Sequence, residues 1–131
     1  MRKVVITTDL KAARKVAEQV LKEARAFGYP EEAVFAIKLA MEEALINAIK
    51  HGNRNDAAKR ICVEFDIGPR RAVLQVTDEG EGFRPEDLPD PTADENLECP
   101  SGRGVMLMRA YMDKVEFNSR GNAVRMVRRN V

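Results

Sequence analysis

Residues 72–83, AVLQVTDEGEGF, run from a strand into an acidic, glycine-rich turn. The first seven alternate apolar and polar side chains and read as a β-strand. Asp78 closes that strand, and Gly80 and Gly82 follow at two-residue steps. A carboxylate buried without a partner costs several kcal/mol. An adenine amino group is one partner that satisfies it, and the glycines leave space for a flat base. A loop of solvated acids accounts for the same residues. Glu79 and Glu81 need no role beyond solvation.

Upstream, RICVEFDI (60–67) is a second alternating run, joined to the first by GPRR, which predicts a hairpin. Before it lies AVFAIKLAMEEALINAIKHG (33–52). Pro30 and the acids Glu31 and Glu32 suit a helix start. Val34, Ile37, Met41, Ala44, Leu45 and Ala48 recur at helical steps. Glu43 and Asn47, four residues apart, share another face, and Ala36 and Ala40 extend it with small side chains. A solvated helix face explains that stripe. So does a site in which Asn47 gives a neutral oxygen to Mg²⁺ and Glu43 orients or deprotonates a nucleophile. Lys50 and His51 occupy the last turn, Gly52 ends it, and NRND follows as a loop.

Downstream, residues 79–101 carry no long apolar period, and an irregular stretch of that length in a compact domain is usually functional or mobile. GRGVMLMRAYM (102–112) predicts a helix with a glycine-rich entry. Helix N-termini bind phosphates through free N–H groups, whereas a tight structural turn with Ser101 as N-cap accounts for the same residues. DKVEFN and NAVRMVRR close the chain as a hairpin around SRGN. At the other end, KVVITT (3–8) is a strand that needs no special role for Thr7 or Thr8. Asp9 caps a helix that ends at Gly28. The order β-α-α-β-β-loop-α-β-β predicts an α+β fold, a two-layer sandwich with helices on one face of a mostly antiparallel sheet.

Composition narrows the function. The 131 residues suggest one domain, 1–131. With 22 Lys+Arg against 21 Asp+Glu, a net charge of +1 offers no bulk attraction to nucleic acid or anionic lipid. There is no apolar run long enough for a membrane span, and the start is too charged for a signal peptide. Cys62 and Cys99 lack metal or redox spacing and read as reduced thiols of a cytoplasmic protein. His51 is the only histidine and there is no Cys/His cluster, which argues against a Cys/His metal centre.

In combination the three motifs say more than any one of them. EEALINAIKHG, DEGEGF and PSGRGVMLMRAYMDKVEF resemble the three ATP boxes of the GHKL superfamily, and the resemblance spans nearly the whole chain. The short single-domain form, the KHG and the GRG resemble bacterial anti-sigma factor serine kinases. That resemblance implies the GHKL (Bergerat) ATP-binding fold over 1–131. It also implies ATP and Mg²⁺ as ligands, and a sigma factor and a small anti-anti-sigma antagonist as partners. By resemblance Glu43 is the catalytic base, Asn47 the Mg²⁺ ligand and Asp78 the reader of the adenine amino group beside Gly80 and Gly82. Residues near 95–104 form the lid and phosphate cradle, with Ser101, Gly102, Arg103, Gly104 and Val105 as ATP-binding positions at its end. Lys50 and His51 stand on the phosphate side, though a helix C-terminal turn explains both equally well. Relatives are commonly homodimers.

One position departs from the family pattern. Relatives often carry Gly-Thr before the last strand, with the Thr supporting the adenine-binding Asp through water. This chain has Gly121–Asn122, whose amide still forms hydrogen bonds. Two other functions fit the same residues. One is a regulatory module that sequesters a protein partner with weak or no nucleotide binding. The other is a detached histidine-kinase catalytic domain acting in trans.

Overall fold

Val4, Val5 and Ile6 give β1 (Arg2–Thr7) a β-branched run that suits a pleated backbone. The computed structural model describes residues 1–81 and 102–131. After β1 the Asp9 carboxylate accepts the N–H groups of Lys11 at 3.3 Å and Ala12 at 3.2 Å. It thereby caps α1 (Leu10–Ala26), whose first donors have no partner within the helix. Gly28, at φ +76°, turns the chain away in a left-handed conformation that glycine adopts without penalty.

Helix α2 (Glu31–Ile46) starts one residue after the expected position, with Pro30 as its extended cap. It does not end as an ordinary α-helix. Residues Asn47–Gly52 continue it as a wide π-type turn, and the Asn53 N–H reaches back five residues to the Ala48 carbonyl at 2.8 Å. Strands β2 (Arg60–Ile67) and β3 (Arg71–Thr77) form the expected hairpin. Helix α3 (Gly102–Tyr111) precedes β4 (Lys114–Phe117) and β5 (Ala123–Arg129).

Among the described residues the five strands make one sheet in the order β1-β2-β3-β5-β4, with every neighbouring pair antiparallel. This is the expected α+β architecture. Alternation in β2 buries Ile61, Val63, Phe65 and Ile67 on one face. Val63 pairs with Val76, and Val76 with Val124, so the inward rows run across the sheet. They meet Val34, Ile37 and Met41 of α2, which lies between α1 and α3.

The small-residue stripe of α2 is not open. Ala36 and Ala40 are 1% and 0% exposed. Helix α3 packs along α2, and small side chains permit that close approach.

Candidate nucleotide site

The end of α2, the wide turn, the end of β3 and the start of β5 enclose a cavity of about 120 Å³. Its helical wall is the stripe of Ala44, Asn47, Ala48, His51 and Gly52. Val76, Val124 and Met108 add apolar surface, while Asp78, Glu81 and Asn122 add polar groups. A mostly apolar hollow with a few convergent polar groups is the usual form of a small-molecule site.

Asp78 follows the last residue of β3 and is half-buried. Its Oδ1 accepts the Gly80 N–H at 2.7 Å. Burial raises its pKa above the ordinary aspartate value, partly offset by that hydrogen bond and by the Arg120 and Lys59 charges. The strand end is pinned from β5: the Asp78 N–H donates to the Asn122 carbonyl at 2.9 Å. In return, the Asn122 side-chain amide donates to the Asp78 carbonyl at 3.0 Å. The Asn118 amide in turn donates to the Asn122 side-chain oxygen at 2.7 Å. Asn122 therefore does hydrogen-bond Asp78, through the main chain.

The glycines serve close approach. A Cβ on Gly52 would overlap the Asp78 carboxylate, and one on Gly80 would overlap the Gly52 carbonyl. Gly80 is thus a packing position under the site and is not on the cavity wall.

Asn47 lines the cavity, and its side-chain oxygen is buried with no hydrogen-bond partner among the described residues. Buried acceptors normally find a donor, so this oxygen is available to a cation. No group of three or more His, Cys, Asp or Glu side chains among the described residues could hold a metal. A hard cation here would take Asn47 as one protein ligand and draw its other oxygens from substrate phosphates and water, the usual habit of Mg²⁺. The residues present fit that ion.

His51 lines the same wall, with its pKa held below the ordinary value by burial and then by the Lys50 charge. It is therefore mainly neutral at pH 7. Lys50 is exposed and off the wall. Glu43 is half-buried one helical turn before Asn47, also off the wall. Arg103 is exposed and Val105 buried in the first turn of α3, and that helix reaches the cavity through Met108. Gly102 and Gly104 fall in the same turn. Gly82 and Ser101 lie outside the described residues, as does Cys99.

Sequence reasoning missed several residues here. Asn53 stands in what reads as a polar loop, yet it is 0% exposed, the only polar side chain buried among the described residues. Thr8 and Glu79 both have hydrogen-bond partners within the protein, although Glu79 is exposed. The Thr8 hydroxyl donates to the Lys59 carbonyl at 2.8 Å and the Glu79 carboxylate accepts the Arg60 N–H at 2.6 Å. Glu81 lines the cavity with Arg54, whose φ of +51° lies in the left-handed region. The NRND run marks a loop in sequence, but not which of its residues takes that conformation.

A family model described as a histidine kinase-like ATPase domain matches residues 6–128. The serine-protein kinase RsbW of Bacillus subtilis is 31% identical over 110 residues, 77% of this chain and 68% of that protein. RsbW of Oceanobacillus iheyensis is 28% identical over 102 residues, 73% of this chain and 65% of that protein. The anti-sigma F factor of Clostridium botulinum is 35% identical over 98 residues, 69% and 66% of the two chains. The matched segment thus spans about two thirds of these relatives. A crystal structure of the RsbU and RsbW domains of Rv1364c from Mycobacterium tuberculosis superposes with a TM-score of 0.60. It covers 99% of this chain and 32% of that one at 16% identity, a likeness of fold.

Proposed function

The chain belongs to the histidine kinase-like ATPase family, and from that premise we propose that it is an ATP-dependent protein serine kinase that also holds a sigma factor. Its phosphoryl acceptor is a serine of a small anti-anti-sigma antagonist. The observation that carries the reading is the meeting of Asp78 and Asn47 on one cavity, where Gly52, the last residue of the turn that Asn47 begins, lies against the Asp78 carboxylate. A carboxylate that reads an amino donor and an amide oxygen free for a cation are the two protein groups a magnesium nucleotide needs. The relatives' names, serine-protein kinase and anti-sigma factor, supply the reaction class and the partners.

In this reading Asp78 accepts a hydrogen bond from the adenine amino group, and burial strengthens that bond when the base replaces water. Asn47, with its oxygen already desolvated, would hold Mg²⁺. That ion, when bound, offsets charge on the transferred phosphoryl. Glu43 accepts the proton of the antagonist serine as its Oγ bonds to the γ-phosphorus. The bond from that phosphorus to the β–γ bridging oxygen breaks, and ADP leaves. The mainly neutral His51 contributes a hydrogen bond or ring surface beside the nucleotide rather than a full charge. Gly102, Arg103, Gly104 and Val105 open α3 as the phosphate-side helix start, with Gly82 and Ser101 in the segment between.

The test is transfer of label from γ-labelled ATP to an antagonist domain bearing a phosphorylatable serine. Glu43→Gln is expected to lower the rate by about 10²- to 10⁴-fold, the usual worth of a general base, with ATP affinity within a few-fold of wild type. Equal and negligible transfer by both proteins refutes the kinase. ATP binding without transfer would instead identify a nucleotide-gated binding module. Sedimentation of the free chain and of its mixture with a sigma factor tests the proposed partner.

A further inference from the structure

The buried amide of Asn53 joins four parts of the chain. Its Nδ2 donates to the Thr8 hydroxyl at 2.9 Å and to the Arg60 carbonyl at 3.0 Å. Its Oδ1 accepts the Glu79 N–H at 2.8 Å. Its main-chain N–H closes the wide turn on Ala48, and its carbonyl accepts the Asp56 N–H at 3.0 Å. The orientation of the amide follows from its neighbours. The Thr8 hydroxyl gives its proton to Lys59 and the Arg60 carbonyl has none to give, so both face a donor, while Glu79 N–H faces an acceptor. Reversing the amide would break all three bonds.

This position matters because of what lies on either side. Gly52, the preceding residue, seats its backbone on the Asp78 carboxylate, and Glu79, the residue that Asn53 holds, follows Asp78. We infer that Asn53 is a positioning residue of the nucleotide site, fixing the Asp78–Gly80 segment against the turn that carries Asn47 and His51. The inference rests on the nucleotide reading of the cavity and adds to it a residue that does not line the cavity. Three partners around a fully buried side chain leave the amide one arrangement, and a network of this kind holds geometry only while every member is satisfied. Thr8 on the β1 exit is its outer support. The end of β1, the start of β2 and the helix turn thereby bear together on the base-reading carboxylate.

A structural role alone predicts loss of stability. Positioning predicts loss of base discrimination in protein that is still folded. The readout is the ratio of affinities for ATP and for inosine triphosphate, in which an oxo group replaces the amino group that Asp78 reads. It is measured by calorimetry with Mg²⁺ at a temperature where circular dichroism shows each protein folded. Wild type is expected to prefer ATP by about tenfold or more, because a site built to hydrogen-bond a group rejects the analogue lacking it. Asn53→Ala should bring the ratio close to one. Thr8→Val keeps the shape and removes one bond, so it should lower the ratio by a smaller factor, and it decides the matter if Asn53→Ala does not fold. An unchanged ratio in the folded variants overturns the inference while the nucleotide reading stands. A wild type that binds neither nucleotide removes that reading and overturns the inference with it.

Discussion

The backbone of Gly52 rests directly on the carboxylate of Asp78, with no room between them for even a methyl group. Through that contact the helix that carries Asn47 and the strand end that carries Asp78 form one site. Replacing Gly52 or Gly80 by Ala forces backbone or carboxylate to shift. The expected cost is about 1–3 kcal/mol of stability, the range for overpacking, together with weaker nucleotide binding. Gly28→Ala is the control. Its Cβ meets open space but its φ is +76°, so strain should cost about 1 kcal/mol or somewhat more and leave nucleotide affinity unchanged. Urea unfolding and calorimetry separate the two cases.

Asp78 sets a cost that binding relieves. Burial raises its folded pKa, so the folded state holds this proton more tightly than the unfolded chain. Stability therefore falls as pH rises from the unfolded value through the folded one, and at neutral pH the ionised carboxylate is a net cost. Asp78→Asn keeps an acceptor for the Gly80 N–H. It should raise the melting temperature of the free protein at pH 7 and lose that advantage in acid, where both states carry a protonated Asp78. A variant less stable than wild type at pH 7 would contradict this.

His51 has the opposite slope. Its folded pKa is lowered, so its contribution is complete above the unfolded value near 6.5 and is lost as pH falls through the folded value. It is the chain's only histidine. Melting curves between pH 7.5 and about pH 5 should show wild type losing stability relative to His51→Asn. Parallel curves would show that His51 is not held neutral.

Asn47 carries an acceptor that the fold leaves unpaired. Removing it by Asn47→Ala deletes no hydrogen bond seen among the described residues, so the free protein should lose little more than packing. Affinity for ATP in Mg²⁺ should fall by about tenfold or more, since even changes outside a metal's direct ligands cost about 10–100-fold. Without Mg²⁺ the two proteins should bind ATP alike. A loss of affinity that is the same with and without the ion would move Asn47 out of the metal role.

Periodicity made the elements legible, because burial follows the 3.6- and 2-residue repeats that sequence displays. The α2 face of Val34, Ile37 and Met41 and the β2 run from Ile61 to Ile67 are core in the structure as their spacing predicts. Asp9 and Gly28 mark the ends of α1 for local reasons that act within one turn. Ala36 and Ala40 were not legible, since a small side chain marks close packing as readily as open space. The wide turn was not legible either. A shift from four-residue to five-residue hydrogen bonds leaves the composition of NAIKHG unchanged. Asn53 reads as a turn residue because asparagine after glycine usually is one, and only three distant partners make it a buried hub. Asp78 and Asn47 were legible as parts of two motifs, but the packing of Gly52 against the Asp78 carboxylate was not.

The central claim, that Asp78 and Asn47 bind one nucleotide between them, is tested most directly by titrating Mg²⁺–ATP into wild type and Asp78→Asn in a calorimeter. The expected result is one nucleotide per chain for wild type and an affinity about 10- to 100-fold lower for the variant. That loss corresponds to a hydrogen bond to a charged group worth about 1.5–3 kcal/mol. No heat with wild type, or equal affinity in the two proteins, would contradict it.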